Sequence, residues 1–222
     1  QNQLSSQEQL DLTVTYDDYA ESVQYGNNEV VLSRNVSLQR LWRLTSLSSL
    51  RLRNTYLTEQ ALGDIARLPN LKSLDLGGAN VPDDWLPMLS AMRLESISLS
   101  DTMVSAGGLI HLVSIHTLRE LKAERIRMPR EELSVFASMK SLNSLFLDRV
   151  GSACELIPHL KRLPSLTSLT ITNSGLVDAD VVDLLNALPQ LNFLNVEGNS
   201  ITGSTIILGK LVGYASAYPR AG

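Results

Sequence analysis

One phrase recurs along this chain at a nearly constant interval. Residues 71–81 read LKSLDLGGANV, with an aliphatic residue at the first, fourth, sixth and eleventh places. The phrase opens again at Leu47, Leu71, Leu94, Leu118, Leu142, Leu166 and Leu191, in steps of 24, 23, 24, 24, 24 and 25 residues. Its fourth place is Leu50, Leu74, Ile97, Leu121, Leu145, Leu169 and Leu194; its sixth is Leu52, Leu76, Leu99, Ala123, Leu147, Ile171 and Val196. The eleventh is Leu57, Val81, Val104, Met128, Ser152, Leu176 and Ile201, so only Ala123 and Ser152 break the rule. A fixed period of this length marks a repeat architecture, in which each unit buries its apolar face only against its neighbours.

Each unit has two halves with different periods. The fourth and sixth places share one side of a short strand, because strand side chains alternate. The second half carries a helical pattern: Ala61, Leu62, Ile65 and Leu68 fall on one face, as do Val181, Leu184, Leu185 and Leu188. Pro82 and Pro129 are expected in a first helical turn, with Asp83-Asp84 and Glu131-Glu132 as helix-start charges. Leu-Pro then recurs at Leu68-Pro69, Leu163-Pro164 and Leu188-Pro189, where proline stops the helix and sends the chain extended into the next strand. The spacing therefore predicts strand, turn, short helix, turn in every unit. Strands about 4.8 Å apart facing wider helices curve the stack, with the strands inside.

This pattern resembles the leucine-rich repeat family, L-x-x-L-x-L-x-x-N/C-x-L, from residue 47 to about 201. The resemblance implies an α/β leucine-rich-repeat solenoid, with a parallel sheet on the concave face and short helices on the convex face. It also implies recognition rather than catalysis. The ninth place departs from the family. It reads Thr55, Ala79, Thr102, Ile126, Val150, Ser174 and Asn199, so Asn199 alone keeps the residue that caps turning backbone. Elsewhere hydroxyls, water or a tighter convex segment must satisfy those groups, since buried backbone polar groups are rarely unpaired.

The expected organisation is an N-terminal cap over residues 1–46, repeats over 47–201, and a C-terminal cap and tail over 202–222. In the first cap Leu10, Leu12, Val14 and Tyr16 alternate like a strand. Val30 and Leu32 read as a degenerate repeat strand, and Leu38, Leu41, Trp42 and Leu44 as a covering turn. Ile206, Ile207, Leu208, Leu211 and Val212 would close the far end. One cysteine, Cys154, excludes an intrachain disulfide, and no apolar run reaches the length of a membrane helix. The chain opens at Gln1, so the reading includes a bacterial secreted or surface protein whose leader was cut. It also includes an intracellular adaptor, and the recognition module of a longer effector.

Function then lies at the outward strand places, the third, fifth, seventh and eighth. They hold five basic residues (Arg51, Arg53, Lys122, Arg125, Arg149) and six acidic ones (Asp75, Asp101, Glu120, Glu124, Asp148, Glu197). With net charge −4 and a pI near 5.4, this mixed surface suits a protein partner better than nucleic acid. The candidate partner-binding residues are Arg51, Arg53, Asp75, Lys122, Arg125, Phe146, Asp148, Arg149 and Phe193, with Phe146, Phe193 and the arginines as anchors. A carbohydrate or small ligand held by the Ser/Thr rows and Phe146 is the alternative. A monomer is the expected state.

No cofactor, metal or catalytic site is expected. His111 and His116 are five residues apart, His159 is distant, and neither HExxH nor GxSxG occurs. Cys154 reads as a packed small residue of a convex helix, and Trp85 as convex core. GNSITGST at 198–205 lacks the lysine of a phosphate loop and falls on a repeat turn.

Overall fold

The computed structural model describes residues 23–26 and 29–32 as backbone, and residues 45–151 and 153–202 in full. Among the described residues nine strands form one sheet in chain order: β1 (Val23–Gly26), β2 (Glu29–Leu32), β3 (Ser49–Arg51), β4 (Ser73–Asp75), β5 (Ser96–Ser98), β6 (Glu120–Glu124), β7 (Ser144–Asp148), β8 (Ser168–Thr172) and β9 (Phe193–Asn195). β1 and β2 pair antiparallel, and every pairing from β2 to β9 is parallel.

The register follows the repeat place by place. Leu50 lies beside Leu74, Leu74 beside Ile97, and so on to Leu169 beside Leu194. Val30 sits beside Leu50, so β2 extends the same register by one strand. The other expectations for residues 1–44, and those for 203–222 and Ser152, lie outside the described side chains. Every first-, fourth- and sixth-place residue from Leu47 to Val196 is buried, Ala123 included, and all join one continuous core.

The opposite wall is helical, though not uniformly α-helical. Three segments are α-helices: α1 (Glu59–Ile65), α2 (Ala153–Leu160) and α3 (Asp178–Ala187). The three central repeats instead form 3-10 turns, at Asp83–Leu89, Gly108–Leu112 and Arg130–Ser138. Each of these units thus carries the short helix expected of it, and only the winding differs between them. The apolar spacing of these short runs suits either winding. Pro82 and Pro129 take the extended residue just before the 3-10 segments rather than their first turn. Leu62 and Ile65 of α1, and Val181, Leu184 and Leu185 of α3, face the core as expected, and Trp85 packs partly against it.

The acidic residues after those prolines brace neighbouring repeats. Asp83 accepts from both the backbone N–H (2.7 Å) and hydroxyl (2.7 Å) of Ser105 in the next repeat. Glu132 accepts from the Gly107 N–H at 2.7 Å in the preceding one. Asp178 holds Thr202 by the same two groups that Asp83 uses on Ser105. A helix-start charge is therefore an incomplete account of Asp83 and Glu132. Each satisfies backbone that the adjacent convex turn leaves open.

Asn199 performs the full ninth-place bracket. Its Oδ1 accepts from Ser174 N–H (2.9 Å) and Leu176 N–H (3.1 Å), and its Nδ2 donates to the Ile171 (2.7 Å) and Val196 (2.8 Å) carbonyls. Hydroxyls take over part of this task at Ser174 and Thr102. Ser174 Oγ donates to the Thr172 carbonyl and accepts from Val150 N–H, and Thr102 donates to the Leu99 carbonyl at 2.6 Å. Asn80, one place later, supplies the same pairing by reaching back to both backbone groups of Leu57.

Leu145 is fully buried in β7, mid-stack. Leu145→Ala is expected to lower unfolding free energy by about 3 kcal/mol through lost burial and an unfilled cavity. Equilibrium denaturation should show one shifted transition across the repeats, because each neighbour depends on the next.

Candidate functional site: the sheet face and its rim

The sheet's outer face presents the third, fifth and seventh places, and the eighth forms its C-terminal rim. Every eighth-place residue is left-handed: Asn54 (φ 54), Gly78 (73), Asp101 (59), Arg125 (56), Arg149 (56), Asn173 (49) and Gly198 (72). The reason is a sharp exit from the strand that still keeps the ladder. The eighth-place N–H donates to the seventh-place carbonyl of the next repeat, from Asn54 to Gly77 (2.8 Å) through Asn173 to Glu197 (3.0 Å). Gly, Asn and Asp adopt this conformation at little cost, whereas arginine is strained there by about 1–2 kcal/mol.

Glycine at this rim also admits a neighbour's side chain. A Cβ at Gly78 would meet Asn54 Oδ1 at 2.1 Å, and one at Gly198 would meet Asn173 Oδ1 at 2.1 Å. Arg53 lies similarly over Gly77 and reaches Asp75 at 3.5 Å.

The strongest electrostatic feature centres on Arg125. Its guanidinium is bidentate on Asp101, Nε to Oδ1 at 2.6 Å and Nη2 to Oδ2 at 2.5 Å, and its Nη1 reaches Asp148 Oδ2 at 3.3 Å. Asp148 is only 5% exposed. Its Oδ1 accepts from Thr172 Oγ1 (2.8 Å) and Asn173 Nδ2 (2.7 Å). The hydrogen bond from Arg125 holds the Asp101 carboxyl below its ordinary range. Burial works to raise Asp148, and the bonds from Asn173, Thr172 and Arg125 outweigh it, so that carboxyl is also lowered. The bond to Asp101 raises Arg125 in turn, so the group is ionised throughout.

The structure thus sorts the sequence-derived candidates. Lys122 and Phe146 are brought together, with Nζ 5.2 Å from the ring centroid across adjacent strands in direct register. Lys122 also meets Glu120 at 3.4 Å. Phe146 is half-buried, Phe193 is 44% exposed, and Arg51 and Arg53 are exposed. Arg125 and Asp148 are the internal brace of the rim. Asp148 is covered by its own hydrogen-bond donors, so its seventh place is not an outward one. Ser98, Ser100 and Thr170 are buried too, and Ser100 hydrogen-bonds Glu124. The alternation rule therefore overstates the free face, because long side chains from neighbouring strands cover short ones.

Cys154, expected to be packed, is exposed on α2. Missed in the sequence were Thr172, Asn173 and the left-handed row. The recurrence of Asn, Gly and Asp at the eighth place was the available signal.

Among the described residues no helix is long and apolar enough to cross a membrane. No family model matches the chain. Internalin C2 of Listeria monocytogenes superposes with a TM-score of 0.58 at 18% identity, covering 82% of this chain and 76% of its own. Internalin F of the same bacterium gives 0.50 at 20% identity over 79% of this chain and 55% of its own. The Caenorhabditis elegans protein EEED8.10, provisionally named as RNA-binding, is 25% identical over 143 residues, or 59% of this chain. That match takes in 19% of EEED8.10, so this chain corresponds to about a fifth of it. The repeat, the single sheet and the superposition on internalin C2 give this chain a leucine-rich-repeat fold, an α/β solenoid.

Removing the Asp148 carboxylate takes an acceptor from Thr172 and Asn173 and leaves Arg125 on Asp101 alone. Asp148→Ala is expected to destabilise the protein by about 2 kcal/mol, discounted for the part-exposed arginine. Its folded pKa lies below the ordinary 3.8. The deficit against wild type should therefore be complete above that value and shrink as pH falls through the depressed one. Urea titrations from pH 7 to pH 2 measure it.

Proposed function

We propose that this chain is a non-enzymatic recognition module that binds a protein partner on its sheet face. The observation that carries this reading is that the charges along the strands pair with one another. Arg125 takes Asp101 and Asp148, Arg53 meets Asp75, and Lys122 meets Glu120. A face in that state offers little to a polyanion, which binds chiefly by releasing counterions to a surplus of positive charge. The RNA-related name of EEED8.10 therefore weighs less here than the charge pattern. What remains outward is amphipathic: the Lys122–Phe146 stack near the centre of the sheet and Phe193 towards its end. Aromatic anchors among polar residues are the composition of protein interfaces.

Lys122 over Phe146 gives the face one charged, apolar knob. Cation–π pairs contribute about 0.5–1 kcal/mol at exposed sites and more once a partner excludes water.

A Lys122→Ala, Phe146→Ala double variant is expected to lose at least tenfold in affinity for a captured partner, with little change in thermal midpoint. Affinity capture from source-cell extract, run beside a glycan array, makes the comparison. Undiminished capture by the double variant would place binding away from this face, and a glycan signal abolished by it would favour the carbohydrate reading.

A further inference from the structure

Arg125 and Arg149 share a strained backbone but not its compensation. Arg125 sits at φ 56 and is secured by three hydrogen bonds to two carboxylates. Arg149 sits at the same φ, is 71% exposed at the side chain, and approaches Asp148 only through Nε at 3.6 Å. That carboxylate already has Arg125, Thr172 and Asn173 as donors. The Nη atoms of Arg149 therefore meet no acceptor among the described residues. The ladder bond from its N–H to Thr172 accounts for the backbone but not for an arginine there, and a side chain held so weakly points outward, to something it does for a partner.

The surroundings define what fits. Two residues further along the same turns stand Arg127, which is exposed and has no acidic partner among the described residues, and Gly151. Among the described residues, a Cβ placed at Gly151 would meet no atom within 4 Å, nor would one at Gly175 in the next repeat. The rim beyond Arg149 is thus a bare shelf, flanked by two arginines with open forks. An arginine fork matches a carboxylate in bidentate fashion. Two such groups, on a rim that also carries Asp101 and Glu124, suit one or two carboxylates rather than a run of phosphates.

We propose that this rim binds an acidic, extended peptide segment, whose carboxylates meet Arg149 and Arg127 while its backbone crosses the shelf at Gly151. The proposal rests on the reading above that the chain recognises protein, and it names the chemistry of the partner.

Panning a random dodecapeptide display library on the full chain tests it. The retained peptides should be rich in Asp and Glu. Their affinity should fall about tenfold in Arg149→Gly, and comparably in Gly151→Leu, whose side chain enters open space at a backbone outside the left-handed region. Arg149→Gly should also raise the thermal midpoint by about 2 °C by relieving strain. An empty selection, peptides without acidic residues, or acidic peptides indifferent to both substitutions would overturn the proposal. So would a lowered midpoint in Arg149→Gly, which would mark the arginine as structural. Peptides sensitive only to Phe146→Ala would overturn the rim site and leave the sheet-face reading standing. Oligouridine RNA bound in preference, and released by Arg149→Gly, would replace peptide with nucleic acid.

Discussion

Everything in this molecule hangs on one registration. Fourth-place residues from Leu50 to Leu194 lie beside one another across successive parallel strands, and a slip of one residue would turn every one of them to water. Because the strands pair in chain order, each repeat finds its partner in the next stretch of sequence, about two dozen residues away. The contacts are local on the scale of the chain, and the architecture grows by addition. The same registration stacks each outward place into a row. A residue choice at one place is thus judged against the residues directly above and below it.

The convex wall must span each repeat with whatever residues the period leaves. The shortest step, 23 residues from Leu71 to Leu94, contains the seven-residue 3-10 segment Asp83–Leu89. The longest, 25 residues from Leu166 to Leu191, contains the ten-residue α3. At about 2.0 Å per 3-10 residue and about 1.5 Å per α residue, both cover roughly 14–15 Å. In these two repeats the winding offsets the difference in segment length. The cross-repeat bonds from Asp83 to Ser105 and from Asp178 to Thr202 then join neighbours on this wall, as the ladder joins them on the other.

Much of this was legible in the sequence, and the limits follow from what periodicity measures. Leu74 and Leu169 announce their inward places because burial selects aliphatics at a fixed interval. The same reading shows which places point outward but not whether they stay uncovered. Asp148 looks like a surface charge in its strand, yet Thr172, Asn173 and Arg125 close over it, and all three lie in other repeats. The pairing of Arg125 with Asp101 was implicit in their shared eighth place, one repeat apart. Its bidentate geometry depends on a left-handed turn that no apolar spacing encodes. The convex winding was hidden for a related reason, since a short apolar run satisfies 3-10 and α periods alike.

The rim row makes plain why arginine at two of its places is informative. The backbone there sets the same demand on all seven residues, and five meet it with Gly, Asn or Asp. Where Asn appears, at 54 and 173, the next repeat offers glycine, and the amide folds over it. The row has thus been fitted pairwise to its own backbone. Against that background Arg125 is accounted for by the carboxylates on either side. Arg149 has only a 3.6 Å approach to Asp148, which is why the proposed rim contact centres on it.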